Sequence, residues 1–393
     1  MSKDDSKDLD TQLAHLGRDP SKYSGMVNTP VFRTSTVVFP DLAAYEDRKD
    51  QGFKTVKYGR HGTPTTFAFE EAVAKIEGGH QAVALPNGMA AIAGVLLALT
   101  KKGGHVLMTD AAYAPARNFC ERQLRPRGVE IEYYDPLIGA GIASKLRDDT
   151  VLVYTESPSS LTFEIQDIPA IAAAAHARGI PVAIDNTWGT PYFFRSFERG
   201  VDISIQAGTK YINGHSDVMM GLIITNERWW TEIRQTVSDF GYGVSPDDCW
   251  LALRGLRTMG VRLKQQMANG IEVARWLEQR PEVSRVLHPA LESHPGHALW
   301  KRDFSGAASL FSFVMKSAPQ AAVNSFVDAL ELFGIGSSWG GYESLVNIAH
   351  VENIRTATGW KPEGPMIRLH IGLESPRDLI ADLSQAFDRM TSR

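Results

Sequence analysis

Cysteine is nearly missing from this chain: Cys120 and Cys249 are the only two among 393 residues. Two thiols cannot build a disulfide framework, and their spacing is not that of a metal knuckle, so a reducing compartment and no metal site are expected. Long hydrophobic runs are missing too. The longest, Met89 to Leu99, falls short of the roughly 18 to 20 apolar residues that span a bilayer and reads as a buried helix. Neither sign of charge dominates. A formal net charge of −4 offers no basic field, which argues against nucleic acid and membrane surfaces as partners. The opening stretch, Met1 to Asp10, is rich in Lys and Asp and lacks the apolar core of a secretory signal or anchor, so a cytoplasmic protein is expected. No internal repeat or low-complexity segment is found, which sets aside solenoid and disordered architectures.

What is present suits a large globular protein. With 43% hydrophobic and 22% charged residues the chain can bury a sizeable core, and its length calls for two or three domains. Residues 1–62 show little periodicity and several turn formers, as expected of an arm that packs on another surface, a second subunit being one candidate, rather than forming its own core. Residues 63–256 alternate helical segments with short β-branched runs at Val151–Tyr154, Val182–Ile184 and Ile203–Ile205, an α/β pattern. Within it, the helix formers Ile168–Arg178 stop at Gly179 and lead into PVAID, which predicts a βαβ unit in a largely parallel sheet. Residues 257–393 open with an amphipathic stretch, Val261–Leu277, and continue through strand-like Ser309–Val314 and Met366–Ile371 to a closing helix, Pro376–Met390. They read as a smaller α+β domain.

Several residues could carry chemistry. Lys210 follows the buried-looking strand DISIQ through a turn of small residues, where desolvation lowers an ammonium pKa and leaves a neutral amine that can condense with an aldehyde. Asp185 closes the strand PVAID at the sheet edge where open α/β folds place their ligands; a carboxylate there could keep a pyridine nitrogen protonated and strengthen the ring as an electron sink. Pro86-Asn87-Gly88-Met89 opens the apolar helix and forms a seat for a phosphate, since helix N-terminal N–H groups bind anions unaided. Tyr113 could stack on a planar ring. Tyr58 and Arg60 lie in the arm, where Arg60 could clamp a phosphate, one that belongs to the other subunit if the arm crosses to it. Arg368, on a strand-like segment, suits a carboxylate, and Ser337 to Ser344 is a loop with paired glycines. Taken singly, each residue has a plainer reading. Lys210 caps a strand, Asp185 forms a turn, Asn87 caps a helix, Tyr113 is a core aromatic, and the arginines are solvated charges.

Taken together, the segments YGRHGTPT, PNGMAAI, AIDNTW, DISIQAGTKYINGHSD, RGLRTMGVRL, SSWGGYES and IRLHIGLE resemble the Cys/Met-metabolism family of pyridoxal 5′-phosphate (PLP) enzymes, the trans-sulfuration enzymes, over nearly the whole chain. Within that family they are most similar to the bacterial cystathionine β-lyase branch. The resemblance implies an aspartate-aminotransferase-like, type I fold: a PLP-binding large domain at 63–256, a small domain at 257–393, and an arm at 1–62 that reaches the neighbour. It also implies a homotetramer, a dimer of dimers whose active sites are shared between subunits. Carried over residue by residue, it makes Lys210 the imine-forming lysine and proton shuttle, with Tyr113 and Tyr58 as further catalytic groups. Asp185 would meet the pyridine nitrogen, Tyr113 would stack on the ring, and Gly88, Met89 and Thr209 would hold the phosphate, joined by Tyr58 and Arg60 from the partner. Ser338 and Arg368 would grip the substrate carboxylate, with Trp339 lining the pocket. One departure stands out: Ala207 occupies a position where many members carry a phosphate-binding serine. Together with Trp339, Tyr113-Ala114-Pro115 and the sequence Glu156-Ser157-Pro158-Ser159-Ser160, it leans toward β-elimination. The expected reaction converts L-cystathionine, and related S-substituted cysteines, to homocysteine or another thiol, pyruvate and ammonia. The alternatives are a γ-acting relative (cystathionine γ-lyase or synthase, or methionine γ-lyase) and, from another class, a PLP-binding regulatory scaffold without turnover.

Overall fold

Seven strands of the computed structural model form the larger of two sheets; the structure describes residues 7–48, 52–351, 354–361 and 363–391. Residues 1–6 of the polar N-terminal stretch lie outside the described residues. The strands are β1 (Gln81–Leu85), β2 (His105–Thr109), β3 (Glu130–Tyr134), β4 (Thr150–Glu156), β5 (Val182–Asp185), β6 (Ile203–Gln206) and β7 (Gly221–Thr225). They are ordered β1-β7-β6-β5-β4-β2-β3. β7 pairs antiparallel with both β1 and β6, and the remaining pairings are parallel. Two reversals across β7 bring β1 back to the direction of β6. The C-terminal ends of β1, β2, β4, β5 and β6 therefore share one edge of the sheet.

These strands are apolar on both faces because helices cover both. On β1, Ala82 and Ala84 join one buried cluster while Val83 and Leu85 join another. On β7, Leu222 and Ile224 face the first cluster and Ile223 the second. That period of two, apolar in both phases, is what a sheet sandwiched between helices requires. Phe69, Val73 and Ile76 of the helix Pro64–Glu77 cover the first face; Ile92, Val95 and Leu96 of the helix Gly88–Leu99, with Ile233 and Val237 of Glu227–Asp239, cover the second. Each such fully buried side chain contributes about 1.5–3 kcal/mol of transfer free energy.

A second sheet is built from β8 (Val283–Leu287), β9 (Leu310–Met315), β10 (Gly334–Ile335), β11 (Leu345–Ala349) and β12 (Met366–His370), ordered β10-β11-β12-β9-β8. It is antiparallel except at β10–β11. The closing helix, Pro376–Thr391, packs Phe387 against Phe326 with ring centroids 4.5 Å apart.

One helix, Pro246–Glu278, carries the chain from the first sheet to the second. Its start is fully signalled: the Ser245 side chain accepts from the Asp247 amide, Pro246 sits in the first turn, and Asp247 and Asp248 complement the positive end of the dipole. The amphipathic reading from Val261 captures only its second half, and residue 256, where the sequence suggests a change of domain, is interior to it. Its glycines are packing residues. A Cβ on Gly255 would stand 2.3 Å from the Asn213 carbonyl oxygen, just beyond Lys210, and one on Gly270 3.1 Å from Ser309 Cα. Among the described residues no helix is long and apolar enough to cross a membrane.

Candidate active site

The shared strand edge gathers five loops around one cavity. Asn87–Met89 follows β1, Ala111–Tyr113 follows β2, Glu156–Ser160 ends and follows β4, Asp185–Trp188 ends and follows β5, and Ala207–Lys210 follows β6. The second sheet closes the space with Ser337–Trp339, Asn347–Val351 and Arg368. The cavity measures about 800 Å³, ample for a cofactor and a small substrate. Among the described residues no cluster of His, Cys, Asp or Glu is arranged to hold a metal ion.

Lys210 is the centre of the arrangement. Its Nζ donates to Ser338 Oγ at 2.6 Å and stands 5.3 Å from the Trp339 ring centroid. Burial, helped by the positive charge of Arg368 and opposed by Asp185, pulls its pKa down to about 8. A neutral amine is therefore accessible near physiological pH. The facing loop reaches this close because Gly340 has φ +87° and because a Cβ there would fall 2.9 Å from Lys210 Cα; only glycine fits both. His370 holds that loop, its Nε2 accepting from the Gly340 amide at 3.1 Å, and burial keeps the imidazole neutral with a pKa of about 4. Arg368 donates through Nη2 to the Ser337 carbonyl at 3.1 Å. Its Nε and Nη1 bond no described residue, so part of the fork is free for a carboxylate.

Asp185 receives both of its hydrogen bonds on Oδ1, from the Thr187 amide at 3.0 Å and the Thr187 hydroxyl at 2.6 Å. No described residue bonds Oδ2. Burial raises this carboxyl group's pKa, while Thr187 and Lys210 work against the rise. Thr187 also accepts from the Ala207 amide at 2.8 Å, tying the end of β5 to the turn that carries Lys210. Asn87 caps the helix Gly88–Leu99 by accepting from the Ala90 amide at 2.8 Å. The cap leaves the N–H groups of Gly88 and Met89 without helical partners. Gly88 is in its turn required by packing, since a Cβ there would lie 2.8 Å from Ala207 Cβ. Thr209 lines the cavity, with its hydroxyl engaged by the Met220 main chain, accepting at 2.8 Å and donating at 3.2 Å. Tyr113 is half-exposed at the mouth, and burial raises the pKa of its phenol further than the opposing Arg368 lowers it.

Of the residues singled out from sequence, Lys210, Asp185, Tyr113, Gly88, Met89, Thr209, Ser338, Trp339 and Arg368 all line this cavity. Tyr58 and Arg60 do not. Tyr58 is exposed, and Arg60 donates to the Ser238 carbonyl at 3.2 Å. Sequence reasoning passed over Thr187 and His370, although both stand inside quoted segments, because each works through another residue. It also missed the wall formed by His350, Val351, Ile354 and Arg355. That wall is fastened by Asp110, whose carboxylate accepts from the amides of Thr356, Ala357 and Thr358 at 2.8 to 3.1 Å and from Arg117 at 2.9 Å.

Comparison with known proteins agrees with this geometry. Residues 10–388 match the family described as Cys/Met metabolism PLP-dependent enzyme. A putative cystathionine beta-lyase of Rhizobium johnstonii is 47% identical over 96% of both chains. The cystathionine beta-lyase MetC of Escherichia coli K12 is 43% identical over 98% of this chain and 99% of its own. An L-alanine/L-glutamate racemase of Wolbachia pipientis is also similar, at 37% identity over 96% of each chain. The crystal structure of metB from Corynebacterium glutamicum superposes with a TM-score of 0.90 at 29% identity, covering 98% of this chain and 99% of that one. With a match over nearly its whole length, this chain belongs to the Cys/Met metabolism PLP-dependent enzymes.

Proposed function

We propose that this protein is a carbon–sulfur β-lyase that cleaves L-cystathionine, and related S-substituted cysteines, to homocysteine or another thiol, pyruvate and ammonia. The observation that carries the reading is the placing of a low-pKa amine, Lys210, in one cavity with Asp185 and the free fork of Arg368. The residues fit PLP. Lys210 supplies the amine for its aldehyde, Oδ2 of Asp185 an acceptor for its ring nitrogen, Tyr113 a ring to stack on it, and the Gly88 and Met89 amides a seat for its phosphate, joined by the Thr209 hydroxyl once it turns from the Met220 carbonyl. Bound there, the cofactor supplies the electron sink for the pair left at Cα when its proton is removed.

The chain's own residues do the rest. Arg368 and Ser338 hold the substrate carboxylate, while Trp339 and the wall of His350, Val351, Ile354 and Arg355 enclose the remainder of the amino acid. The Lys210 amine, once free of the cofactor, takes the Cα proton at Nζ. Its hydrogen bond to Ser338 aims that atom, and a pKa of about 8 leaves an appreciable neutral fraction near neutral pH. Loss of the thiolate from Cβ, which takes up a proton to leave as the thiol, completes the elimination, and water hydrolyses the released three-carbon enamine to pyruvate and ammonia. The curated relatives above that are named cystathionine beta-lyase support this choice over a γ-acting enzyme, as does Ala207. L-cystathionine is expected to yield pyruvate, with α-ketobutyrate as the product that would move the protein to the γ-acting group. Lys210→Ala is expected to fold and lose turnover, and near-normal pyruvate formation by that variant would refute the role of Lys210.

The same reading makes the working form a homotetramer, a dimer of dimers, in which Tyr58 and Arg60 complete the partner's phosphate seat. The arm supports it: Val38 and Leu42 are 88% and 73% exposed, and Met26, Val27 and Tyr45 of the same arm are exposed too. Apolar side chains bared to this degree are suited to burial against a second subunit. Mixing inactive Lys210→Ala subunits with inactive Arg60→Ala subunits should restore activity, because each hybrid dimer contains one site with neither substitution; no recovery on mixing would refute shared sites. The buried, unpaired thiols of Cys120 and Cys249 support a cytoplasmic location.

A further inference from the structure

Glu156 has no role in the reading above, yet it stands inside the site. β4 and β5 run parallel with Glu156 directly opposite Asp185, so two carboxyl groups end adjacent strands and both line the cavity. One oxygen of Glu156, Oε2, accepts from the main-chain amide of Tyr113 at 2.7 Å. From the other side, the Tyr113 carbonyl accepts from the amides of Ala116 and Arg117 in the first turn of the helix Ala114–Phe119. The main chain of Tyr113 is thus fixed between a helix start and a carboxyl group.

We infer that Glu156 is a positioning residue of this site, pinning the main chain of Tyr113 and so the ring that stacks on the cofactor. The inference rests on the stacking role proposed for Tyr113. Two neighbouring carboxylates do not both ionise readily, and their surroundings decide which does. Asp185 has an amide, a hydroxyl and the nearby Lys210 ammonium to favour its charge. Glu156 has one amide only; burial and the charge of Asp185 hold its pKa well above the usual range. These surroundings favour placing a shared negative charge on Asp185 rather than on Glu156, whose Oε2 serves as acceptor to the Tyr113 amide. An amide can take over that task, whereas an alkyl group cannot.

The test titrates dialysed, cofactor-free protein with PLP and follows binding by visible absorbance and circular dichroism. Glu156→Leu is expected to weaken PLP binding on the order of tenfold, the loss of one hydrogen bond to a buried amide, and to alter the visible dichroism of the bound ring. Glu156→Gln, which retains the acceptor, should restore affinity to within about threefold of the unmodified protein, on the same scale. Because Glu156 acts through Tyr113, Glu156→Leu added to Tyr113→Ala should weaken binding little beyond Tyr113→Ala alone. Unchanged binding by Glu156→Leu would overturn the inference while leaving the role of Tyr113 intact, and fully additive losses in the double variant would do the same. If Tyr113→Ala itself bound PLP normally, the stacking role would fall and the inference with it. Should Glu156→Leu fail to fold, Glu156→Gln decides alone: retained affinity supports the inference, and a tenfold loss shows that the charge mattered and overturns it.

Discussion

A lysine kept short of its proton weakens the fold that holds it, and Lys210 allows that cost to be measured. Its pKa falls from 10.5 to about 8, and at about 1.4 kcal/mol per tenfold this corresponds to about 3 kcal/mol of disfavoured charge. The amine retains its hydrogen bond to Ser338 and borders an open cavity, which screens it, so about 2 kcal/mol is the expected effect. Below pH 8 the amine is protonated in both folded and unfolded chains and the folded state bears the whole cost. Between pH 8 and 10.5 the folded state gives up the proton first, and the cost fades; above 10.5 it is gone. Lys210→Met keeps the aliphatic stem and removes the charge. The cofactor-free variant should therefore be more stable than the cofactor-free parent by about 2 kcal/mol at pH 7, with the gap closing toward pH 10.5. Guanidinium unfolding of both proteins at pH 7 and pH 10, compared through midpoints at a shared slope, reads this directly. A variant less stable at pH 7, or a gap indifferent to pH, would show that the amine is not desolvated as argued.

Two further perturbations probe the scaffold behind the site. Glu77 is buried and accepts from Asn186, Ser196, Ser204 and Gln206 at 2.6 to 3.1 Å, so Glu77→Leu strands four donors beneath β5 and β6. The expected cost is on the order of 3–5 kcal/mol, seen as a lowered unfolding temperature in calorimetry, and a loss below about 1 kcal/mol would mean that those donors find other partners. Gly340→Ala places a Cβ against Lys210 at a φ that only glycine tolerates, so kcat should fall at least about tenfold with a smaller effect on stability. Full activity in that variant would show that the loop can retreat without disturbing Ser338.

How far the sequence could be read depended on whether a residue acts directly or through others. Lys210 and Asp185 were legible because each follows or closes a strand whose apolar pattern is strong, and Asn87–Met89 because it opens an apolar helix; parallel strands bring such ends to one edge. Arg368 was legible as a charge set within the strand-like pattern of β12. Glu156 also ends a strand, but a carboxyl group that serves one main-chain amide has no pattern of its own. Asp110 is similar: its partners at Thr356 to Thr358 lie more than 240 positions along the chain, beyond any local signal. The front half of the helix Pro246–Glu278 was hidden by Gly255 and Gly260, which resemble breaks until Asn213, Asp10 and Tyr192 are seen pressed against them. Tyr58 and Arg60, read from the sequence as arm residues, stand apart from the cavity of their own chain.

That long helix also works as a ruler with a fixed phase. Gly255 marks where it touches the segment behind Lys210, and Gly270 where it touches Ser309 at the second sheet. Inserting or deleting one residue between the two would turn one contact about 100° away from its neighbour and shift it about 1.5 Å along the axis. The interval Gly255–Gly270 should therefore be among the stretches of this chain least tolerant of a change in length, even where its exposed positions accept many substitutions. The loops around the cavity mouth carry no such phase, and there the protein can alter what it accepts without losing the alignment of the two sheets.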